Sequence, residues 1–405
     1  MNHTPDAPDL EPLLADPTVA AARDHIRETD ARTVADLLEI VQVPAPPFGE
    51  AERGEWIRER FRQLGLADVA SDEVGNVLAR LPGPVNGKPP VILAAHLDTV
   101  FPPGTEIRVR REGAKLRAPG IADNARGLAA LLAVARALLH AGARTARPVV
   151  FVATVGEEGV GDLRGVKHLF REGSPWRGAE AFITLDGTGI RRVVTRSIGS
   201  RRLRATVSGP GGHSWADWGV GNPVSALGIA VAELARMPLS RSPRSALTVG
   251  RIAGGTSVNA IPDHAWLELD IRSEAAPPLR ELETRVRRIL SHAVAEVNSR
   301  RRRGTPSLTL DVDVIGDRPT GETPFSSPVV RAARAATRAI GEAPELVASS
   351  TDANAPMALG IPAIAMGAGG DAGGTHTTEE WYSNERGPDG IERVLLTLLG
   401  VTGVA

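Results

Sequence analysis

A histidine and an aspartate stand two residues apart at the end of an apolar segment. His96 and Asp98 follow the run Pro90–Ala95, whose Val, Ile and Leu residues predict a short buried strand. Side chains two apart on an extended chain point the same way. One of the two can therefore bind a metal ion while the other accepts the second N–H of the imidazole and fixes its tautomer.

Carboxylates follow two further apolar segments. Glu157 and Glu158 come after Pro148–Val155, an almost unbroken β-branched run, and Asp186 comes after Phe182–Leu185. Adjacent carboxylates repel each other and are costly to hold near a core unless a cation lies beside them. The pair Glu157–Glu158 therefore indicates either a cation site or a solvated loop.

Two further candidates lie in turns that contain glycine. Asp123 and Asn124 precede the helical pattern that begins at Leu128, and taken alone they are typical of a helix N-cap. His376 follows Gly373-Gly374-Thr375, where glycines allow the backbone to approach a site closely. Open α/β sheets place their ligand crevice at the carboxyl ends of strands. We therefore expect the candidate side chains to converge at that edge.

The chemistry of such a site is limited by the absence of cysteine from the sequence. That absence excludes a disulfide framework, a thiolate zinc site, an iron–sulfur cluster and a cysteine nucleophile. Any metal must then be held by imidazole and carboxylate groups. Ligands of this kind suit zinc, cobalt or manganese, and the number of candidate groups favours a pair of ions.

The elements that must position these residues alternate between helix and strand. Helical spacing covers Thr33–Val41, Gly54–Leu64 and Leu128–His140, between the strand patterns already named. Strands separated by helices predict an α/β fold with a mixed, mostly parallel sheet and helices on both faces.

From about Ile198 the pattern changes to the order β-α-β-β-α-β, which is typical of a ferredoxin-like α+β sandwich. Helical patterns at Asn222–Arg236 and Leu279–Val297 lie between its strands. After Gly316 the α/β character resumes with a helix at Pro328–Ile340. We therefore predict one α/β domain in two parts, residues 1–197 and 317–405, interrupted by a smaller domain at residues 198–316.

Composition and charge limit the partners. The sequence has 47 Lys and Arg against 48 Asp and Glu, a net charge of -1, and only 3% aromatic residues. Neither a global field nor stacking platforms therefore favour nucleic acid or an anionic membrane. The basic run Arg300–Arg303 ends a predicted helix, where cations complement the helix dipole.

No targeting segment is predicted. The N-terminus lacks the basic start and apolar run of a secretion signal. The most apolar stretch, Leu128–Ala141, is shorter than the roughly 20 residues that a bilayer requires. We therefore predict a cytoplasmic protein.

Five motifs occur in an order that resembles the M20 metallopeptidase family. They are Ala94-Ala95-His96-Leu97-Asp98-Thr99-Val100, Gly120-Ile121-Ala122-Asp123-Asn124, Gly156-Glu157-Glu158-Gly159, Leu185-Asp186-Gly187 and Gly374-Thr375-His376-Thr377. The similarity runs from about Thr33 to the C-terminus and covers a catalytic and a lid domain in the family's order. This family includes peptidase T, glutamate carboxypeptidase, aminoacylase, and the acetylornithine and succinyl-diaminopimelate deacylases.

The resemblance implies a site that holds two divalent metal ions, with zinc expected first and cobalt or manganese as alternatives. The implied ligands are Asp123 bridging both ions, Glu158 and His376 on one ion, and His96 and Asp186 on the other. Asp98 would orient His96. Glu157 would be the general base that takes a proton from the bridging water and delivers it to the leaving amine.

The resemblance also implies that the inserted domain is a lid and the interface of a homodimer. His213 would reach the partner subunit's site and polarise the substrate carbonyl, Asn259 would contact the substrate, and Arg272 would grip a substrate carboxylate. A turn histidine and a surface salt bridge are the alternative interpretations of His213 and Arg272. Further candidates for the wall of the substrate pocket are Thr351, Asp352 and Asn354.

These implications predict a co-catalytic two-metal hydrolase that cleaves the amide bond of a small peptide or amino-acid conjugate. An N-acyl-amino-acid deacylase of the acetylornithine or succinyl-diaminopimelate type is the alternative within the enzyme class. A third interpretation is a catalytically silent relative that binds peptides. The loss of a metal ligand or of the general base would favour it, but Glu157 and all five implied ligands are present. Many members of the family carry a second aspartate at the position of Asn124. Because of this difference, the substrate of a particular family member cannot simply be assigned to this protein.

Overall fold

The computed structural model describes residues 10–83 and 87–405, so the N-terminal residues on which the prediction about a secretion signal depends lie partly outside it. The chain divides into two compact units. The first unit combines the residues up to Ser197 with Gly321–Ala405, and the second unit is Ile198–Thr320. Across the described residues, no helix has both the length and the apolar character that crossing a membrane requires.

The α-helices of the described chain range from five residues in α1 to 25 residues in α8. They are α1 (Glu11–Ala15), α2 (Pro17–Glu28), α3 (Asp30–Val41), α4 (Ala51–Leu64), α5 (Gly127–His140), α6 (Arg164–Leu169), α7 (Pro223–Ala235), α8 (Ala276–Arg300), α9 (Pro328–Ala339), α10 (Asn354–Ala358) and α11 (Gly387–Thr402).

The strands of the described chain range from two residues in β10 to ten residues in β9. They are β1 (Ala67–Ser71), β2 (Val77–Arg80), β3 (Val91–His96), β4 (Arg110–Glu112), β5 (Lys115–Arg117), β6 (Val149–Thr154), β7 (Ala181–Leu185), β8 (Arg192–Ser197), β9 (Gly199–Ser208), β10 (Gly212–His213), β11 (Ser245–Gly254), β12 (Ala260–Ile261), β13 (His264–Ser273), β14 (Thr309–Arg318), β15 (Gly321–Glu322), β16 (Glu345–Ser349), β17 (Ala363–Met366), β18 (Asp371–Gly373) and β19 (Trp381–Ser383).

The first unit is built on a large mixed sheet in the order β1-β2-β6-β3-β7-β17-β8-β15, with β16 also paired to β8. Strands β6, β3, β7 and β17 run parallel at its centre and are buried throughout. Their unbroken apolar sequences follow from burial on both faces. The predicted mixed sheet is confirmed: the central strands and the β16–β8 pair are parallel, while β2 and β8 are antiparallel to their central neighbours.

Helices cover both faces of this sheet. Leu93 and Phe151 belong to the larger apolar cluster, which includes residues of α5 and α11. Ile92 and Phe182 point to the other face and pack in a separate cluster with residues of α6. This division follows from the alternation of side chains along a strand.

A smaller antiparallel sheet in the first unit has the order β18-β19-β5-β4. Strands β18 and β19 pair with Gly373 opposite Trp381. His376 therefore lies in a short connection that is anchored by strand pairing at both ends.

The second unit is an antiparallel sheet in the order β11-β13-β9-β14, with α7 and α8 packed on it around their own apolar cluster. In sequence these elements run β9-α7-β11-β13-α8-β14. Strand β14 continues to Arg318 and the unit ends at Thr320, so a boundary at Gly316 would fall inside a strand. Its role as a lid or dimer interface stays a prediction.

Candidate metal centre

Three neighbouring parallel strands end at one edge of the large sheet. His96 is the last residue of β3, Glu157 and Glu158 follow the end of β6, and Asp186 follows the end of β7. Strand β3 lies between β6 and β7, and His96 is opposite Thr154 of β6. The candidate residues on these strands therefore meet at the carboxyl edge of the sheet, as expected for a ligand crevice.

Asp123 contacts both histidines of the cluster. Its Oδ1 is 3.0 Å from His96 Nε2, and its Oδ2 is 3.2 Å from His376 Nε2. The same nitrogen of His376 is 3.1 Å from Glu158 Oε1. Each carboxylate oxygen of Asp123 thus faces a different imidazole, as a carboxylate between two ions would.

Asp186 interacts with this cluster through charge. The ligand atoms of His96, Asp123 and Glu158 lie within 4.8 Å of one another, and Asp186 is not part of that group. Burial, and then the negative charge of Asp123, raise the pKa of Asp186 to about 7. The structure therefore brings four of the five predicted ligands into direct contact and places the fifth carboxylate under their electrostatic influence.

The two imidazoles carry the positive charge that these carboxylates attract. Burial opposes protonation of His96, but Asp123 and the nearby Asp98 carboxylate raise its pKa well above the ordinary value. Hydrogen bonds with Asp123 and then Glu158 raise the pKa of His376 to about 10. Burial opposes ionisation of Asp123, yet its hydrogen bonds with His376 and His96 outweigh that cost and hold its pKa well below the ordinary value.

This donor set fits divalent metal ions. Two imidazole nitrogens and several carboxylate oxygens converge without sulfur, which suits zinc and also cobalt or manganese. His96 Nδ1 is 3.0 Å from the backbone oxygen of Asp98, so an Nδ1–H donated to that oxygen leaves the Nε2 lone pair facing the cluster. A cation bound at the imidazole nitrogens would take the place of protons there, so metal binding would release protons.

Asp98 holds the two glutamates with its side chain and His96 with its backbone. The closest distance from its carboxylate to His96 Nδ1 is 3.6 Å, too long for a hydrogen bond. Instead Oδ1 accepts the N–H of Glu157 at 2.9 Å, and Oδ2 accepts the N–H of Glu158 at 2.7 Å. The Asp98 carboxylate also raises the pKa of His96, and its role in orienting that imidazole stays a prediction.

The turn that carries Glu157 requires a glycine. Gly156 has a φ of 66°, and a Cβ there would lie 2.6 Å from the side chain of Arg164. Arg164 donates to the Glu50 carboxylate at 2.6 Å and to the Val74 carbonyl at 2.8 Å. Glu157 and Glu158 are both buried, with 5% and 6% of their surfaces exposed. The interpretation of this pair as a solvated loop is therefore wrong.

Asp123 and Asn124, which the sequence also allowed as a helix N-cap, have different roles in the structure. Its Oδ1 accepts the N–H of Gly127, the first residue of α5, at 3.2 Å, and the N–H of Gly187 at 3.3 Å. Its Nδ2 donates to the Leu185 carbonyl at 2.8 Å, so this amide contacts the backbone on both sides of Asp186. The capping role belongs to Asn124, while Asp123 faces the histidines.

One buried carboxylate was missed from the sequence. Glu380 accepts backbone N–H groups of Gly120, Ala122 and Asp123. Burial raises the pKa of Glu380 to about 7, against the effect of these hydrogen bonds. In the sequence, Glu380 is recognisable only as an acidic residue four positions after His376. The exposed residue before it, Glu379, is also acidic, so residue type does not show which of the two is buried at the site.

The second unit carries three of the predicted substrate residues. His213 and Asn259 lie at a two-stranded ribbon formed by β10 and β12, and both are exposed. His213 Nδ1 accepts the N–H of Trp215 at 3.2 Å, which matches the interpretation as a turn histidine. Arg272 donates to Asp270 at 2.6 Å with 45% of its side chain exposed, which is the surface ion pair considered as its alternative. Their substrate roles stay predictions.

Thr351, Asp352 and Asn354 are buried at the turn that begins α10, with at most 3% of each residue exposed. Asn354 Oδ1 accepts the N–H of Thr351 at 2.9 Å, and Thr351 Oγ1 accepts the N–H of Ala353 at 3.1 Å. Asp352 accepts a hydrogen bond from the Thr154 hydroxyl. Their side chains hold the turn itself, and their place in the wall of the substrate pocket stays a prediction.

Comparison with known proteins relates this geometry to hydrolases. The sequence matches the family described as Peptidase family M20/M25/M40 over residues 92–399. A succinyl-diaminopimelate desuccinylase of Corynebacterium glutamicum is 27% identical, over 58% of this chain and 64% of its own length. A cytosol non-specific dipeptidase of Escherichia coli is 26% identical, over 64% of this chain and 57% of its own length. The chain thus spans less than two thirds of the length of both curated relatives.

A solved structure is similar over nearly the whole chain. The aminopeptidase PepT of Bacillus cereus superposes with a TM-score of 0.73 and 26% identity, covering 92% of this chain and 98% of its own. The family match covers well over half of the 405 residues and includes all five predicted ligands. This chain belongs to the M20 family of peptidases and is a hydrolytic enzyme.

Proposed function

We propose that this protein is a co-catalytic two-metal hydrolase that cleaves the amide bond of a small peptide or amino-acid conjugate. The observation that carries the proposal is the position of Asp123, whose two oxygens face His96 and His376 at the carboxyl edge of the sheet. A half-buried carboxylate between two imidazoles, with Glu158 beside it, is suited to hold a pair of cations.

Five residues would hold the two ions: Asp123 between them, Glu158 and His376 on one side, and His96 and Asp186 on the other. Zinc is the metal we propose first, with cobalt or manganese as alternatives. The chemistry that such ions supply is Lewis-acid activation of water and of the amide carbonyl. Asp186 supports this assignment, since a carboxylate with a raised pKa gains most from a nearby cation.

Glu157 is the proton carrier of the proposed reaction. It adjoins the ligand Glu158, and Asp98 holds the backbone of both residues through one carboxylate. Glu157 takes a proton from the attacking water and delivers it to the leaving amine. The division of labour is physical, because a carboxylate that holds a metal has its lone pairs engaged with the ion, so the proton transfer falls to a different carboxylate.

Among substrates we place small peptides before N-acyl amino acids. The B. cereus structure that covers 92% of this chain is an aminopeptidase, and the E. coli relative is a dipeptidase. The C. glutamicum relative is a desuccinylase, which favours the N-acyl class as the second candidate. Arg272 would bind the carboxylate that both substrate classes carry.

A substrate screen tests this order. Zinc-loaded and cobalt-loaded protein would be assayed on dipeptides and tripeptides in parallel with N-acetyl and N-succinyl amino acids. We expect hydrolysis of peptides that stops on treatment with a chelator and returns on adding the metal. Activity on the acyl set alone would reverse the order of the candidates. No activity on either set, with two ions bound per chain, would support the interpretation as a silent peptide-binding relative.

The proposed homodimer has its own test. We propose that the second unit is a lid whose His213 contacts substrate in the partner subunit's active site and whose Asn259 also contacts substrate. Mixed dimers of Glu157→Ala and His213→Ala chains would then contain one site with both residues intact. We expect partial recovery of activity relative to either variant alone. No recovery in verified mixed dimers would contradict the contribution across subunits.

A further inference from the structure

The side chain of Glu380 is enclosed beside the loop that carries Asp123. Glu380 has 0% of its surface exposed. Its Oε1 accepts the N–H of Ala122 at 2.7 Å and the N–H of Asp123 at 2.9 Å, while Oε2 accepts the N–H of Gly120 at 3.2 Å. One carboxylate therefore holds three backbone donors of a single turn.

The turn needs an acceptor with no donors of its own. All three groups that face the Glu380 carboxylate are N–H donors, and an ionised carboxylate accepts at both oxygens. A glutamine would keep one oxygen and present an NH2 group in place of the other, against at least one buried N–H. A buried donor left without an acceptor is costly, so the turn would have to shift.

Glu380 also joins two parts of the site that are distant in sequence. It lies four residues after His376, in the connection between β18 and β19. Through its side chain it holds the N–H of Asp123 directly, and through its backbone oxygen it accepts the N–H of Ala118 at 3.1 Å. The segment that supplies His376 therefore also determines where the Asp123 backbone lies.

We propose that Glu380 is a positioning residue for the metal centre, which sets the Asp123 turn so that its two carboxylate oxygens face His96 and His376. It does so without contacting substrate or metal itself. This inference rests on the proposed function of Asp123 as the ligand shared by two ions. It parallels Asp98, which holds the backbone of Glu157 and Glu158 in the same manner.

The test compares Glu380→Gln with Glu379→Gln, the same chemical change one residue away. Glu379 is a matched control because its side chain is 64% exposed and pairs with Arg110 at the surface. Zinc affinity would be measured by competition with a chromophoric chelator, and ligand geometry by the absorption spectrum of the cobalt-loaded protein. Turnover would be measured at saturating metal on any peptide or N-acyl amino acid that the wild type hydrolyses.

For Glu380→Gln we expect zinc affinity to fall by about 10–100-fold, the range for groups that orient metal ligands. The cobalt spectrum should change, and kcat should fall while KM stays within about twofold, because the ligands move and the substrate contacts do not. Glu379→Gln should match the wild type in all three measurements. Wild-type zinc affinity and an unchanged cobalt spectrum in folded Glu380→Gln would overturn the proposal.

Two features keep this test decisive. If Glu380→Gln does not fold, amide hydrogen exchange of the metal-free wild type decides instead. The N–H groups of Gly120, Ala122 and Asp123 should then be protected, and fast exchange across that turn would overturn the proposal. If the wild type hydrolyses none of the substrates, the proposed function fails, while zinc affinity and the cobalt spectrum still decide the role of Glu380.

Discussion

Two groups of histidine and carboxylate side chains in the described residues have ligand atoms within 4.8 Å of one another. One is His96, Asp123 and Glu158 in the first unit. The other is Glu233 of α7 with His292 and Glu296 of α8 in the second unit. By residue type the two groups are nearly the same, yet only the first lies at the ends of buried parallel strands.

The two groups differ in how their side chains are held. His96 is 1% exposed, and buried carboxylates bind the backbone of both acidic residues of its group. The side chain of His292 is 66% exposed, and Glu296 pairs with Arg300 at 2.7 Å. Long exposed side chains lose rotamer freedom when they bind an ion, and a neighbouring cation competes for the carboxylate. Preorganisation, rather than composition, therefore separates a candidate centre from a surface cluster.

The sharpest test of that contrast is replacement of the proposed general base. Glu157→Gln keeps the shape of the side chain but removes its capacity to accept a proton, so we expect kcat to fall by about 10²–10⁴-fold. Zinc content should stay at two ions per chain, because Glu157 is not among the proposed ligands. Steady-state kinetics and elemental analysis measure the two effects. Glu296→Gln in the surface group is the control and should change neither, whereas full activity in Glu157→Gln would remove the proposed base.

The next largest effect is expected on metal affinity. Asp123→Ala removes the carboxylate that contacts both histidines, so zinc should bind at least about 100-fold more weakly, since even outer contacts are worth about 10–100-fold. His292→Ala should leave the two tight zinc equivalents unchanged. Competition with a chelator gives both affinities. If tight zinc binding depended on His292 and not on Asp123, the metal site would lie at the surface group of the second unit rather than at the candidate centre.

The location of the centre could be predicted from the sequence because its signals are local. Apolar segments that end in His96 and in Glu157–Glu158 predicted strand ends, and parallel strands bring such ends to one edge. The ordered motifs then assigned roles by resemblance to the family. Asp186 was predicted with them, although it lies outside the group of ligand atoms within 4.8 Å of one another.

The positioning groups could not be predicted, because their partners are backbone atoms of distant segments. Asp98 binds N–H groups about 60 residues away, and Glu380 binds a turn more than 250 residues earlier in the chain. The hydrogen bonds by which Thr351 and Asn354 hold their turn could not be predicted from residue type either, since polar side chains serve many other uses. Residue type reports what a side chain can bind, and tertiary structure decides which partner it has.

A change at Asp98 tests whether a buried carboxylate that binds the backbone of acidic residues is needed to position them. Asp98→Asn keeps one oxygen for the N–H groups of Glu157 and Glu158 and turns an NH2 group toward the other. We expect kcat to fall by about 10–100-fold, through displacement of the glutamates rather than loss of a reacting group. Asp311→Asn, at an exposed position of β14, makes the same chemical change and should have no effect on kcat. Equal kinetics in the two variants would show that backbone contacts of Asp98 do not set the site.

The smallest predicted effect is on the pH dependence of stability, and it follows from the different pKa shifts of histidines in different surroundings. His25 stacks on His140 with ring centroids 3.9 Å apart. Burial, and then the charges of His140 and Arg136, lower the pKa of His25 despite the opposing charge of Glu28. The carboxylates around His96 and His376 raise the pKa of those residues instead.

A lowered pKa in the folded protein has a defined consequence for stability. Below the ordinary histidine pKa of about 6.5, the unfolded chain binds a proton at His25 that the folded chain resists, so the free energy of unfolding decreases as the pH falls. In metal-free protein, His96 and His376 contribute in the opposite direction, because their raised pKa values keep protons on the folded chain that the unfolded chain releases as the pH rises. That contribution is common to the wild type and to a variant changed only at His25. Urea unfolding should therefore show that His25→Phe, which keeps a stacking ring, gains stability relative to the wild type from pH 7.5 to 5.5. An unchanged difference in stability between the two proteins would mean that burial and positive neighbours do not keep His25 neutral.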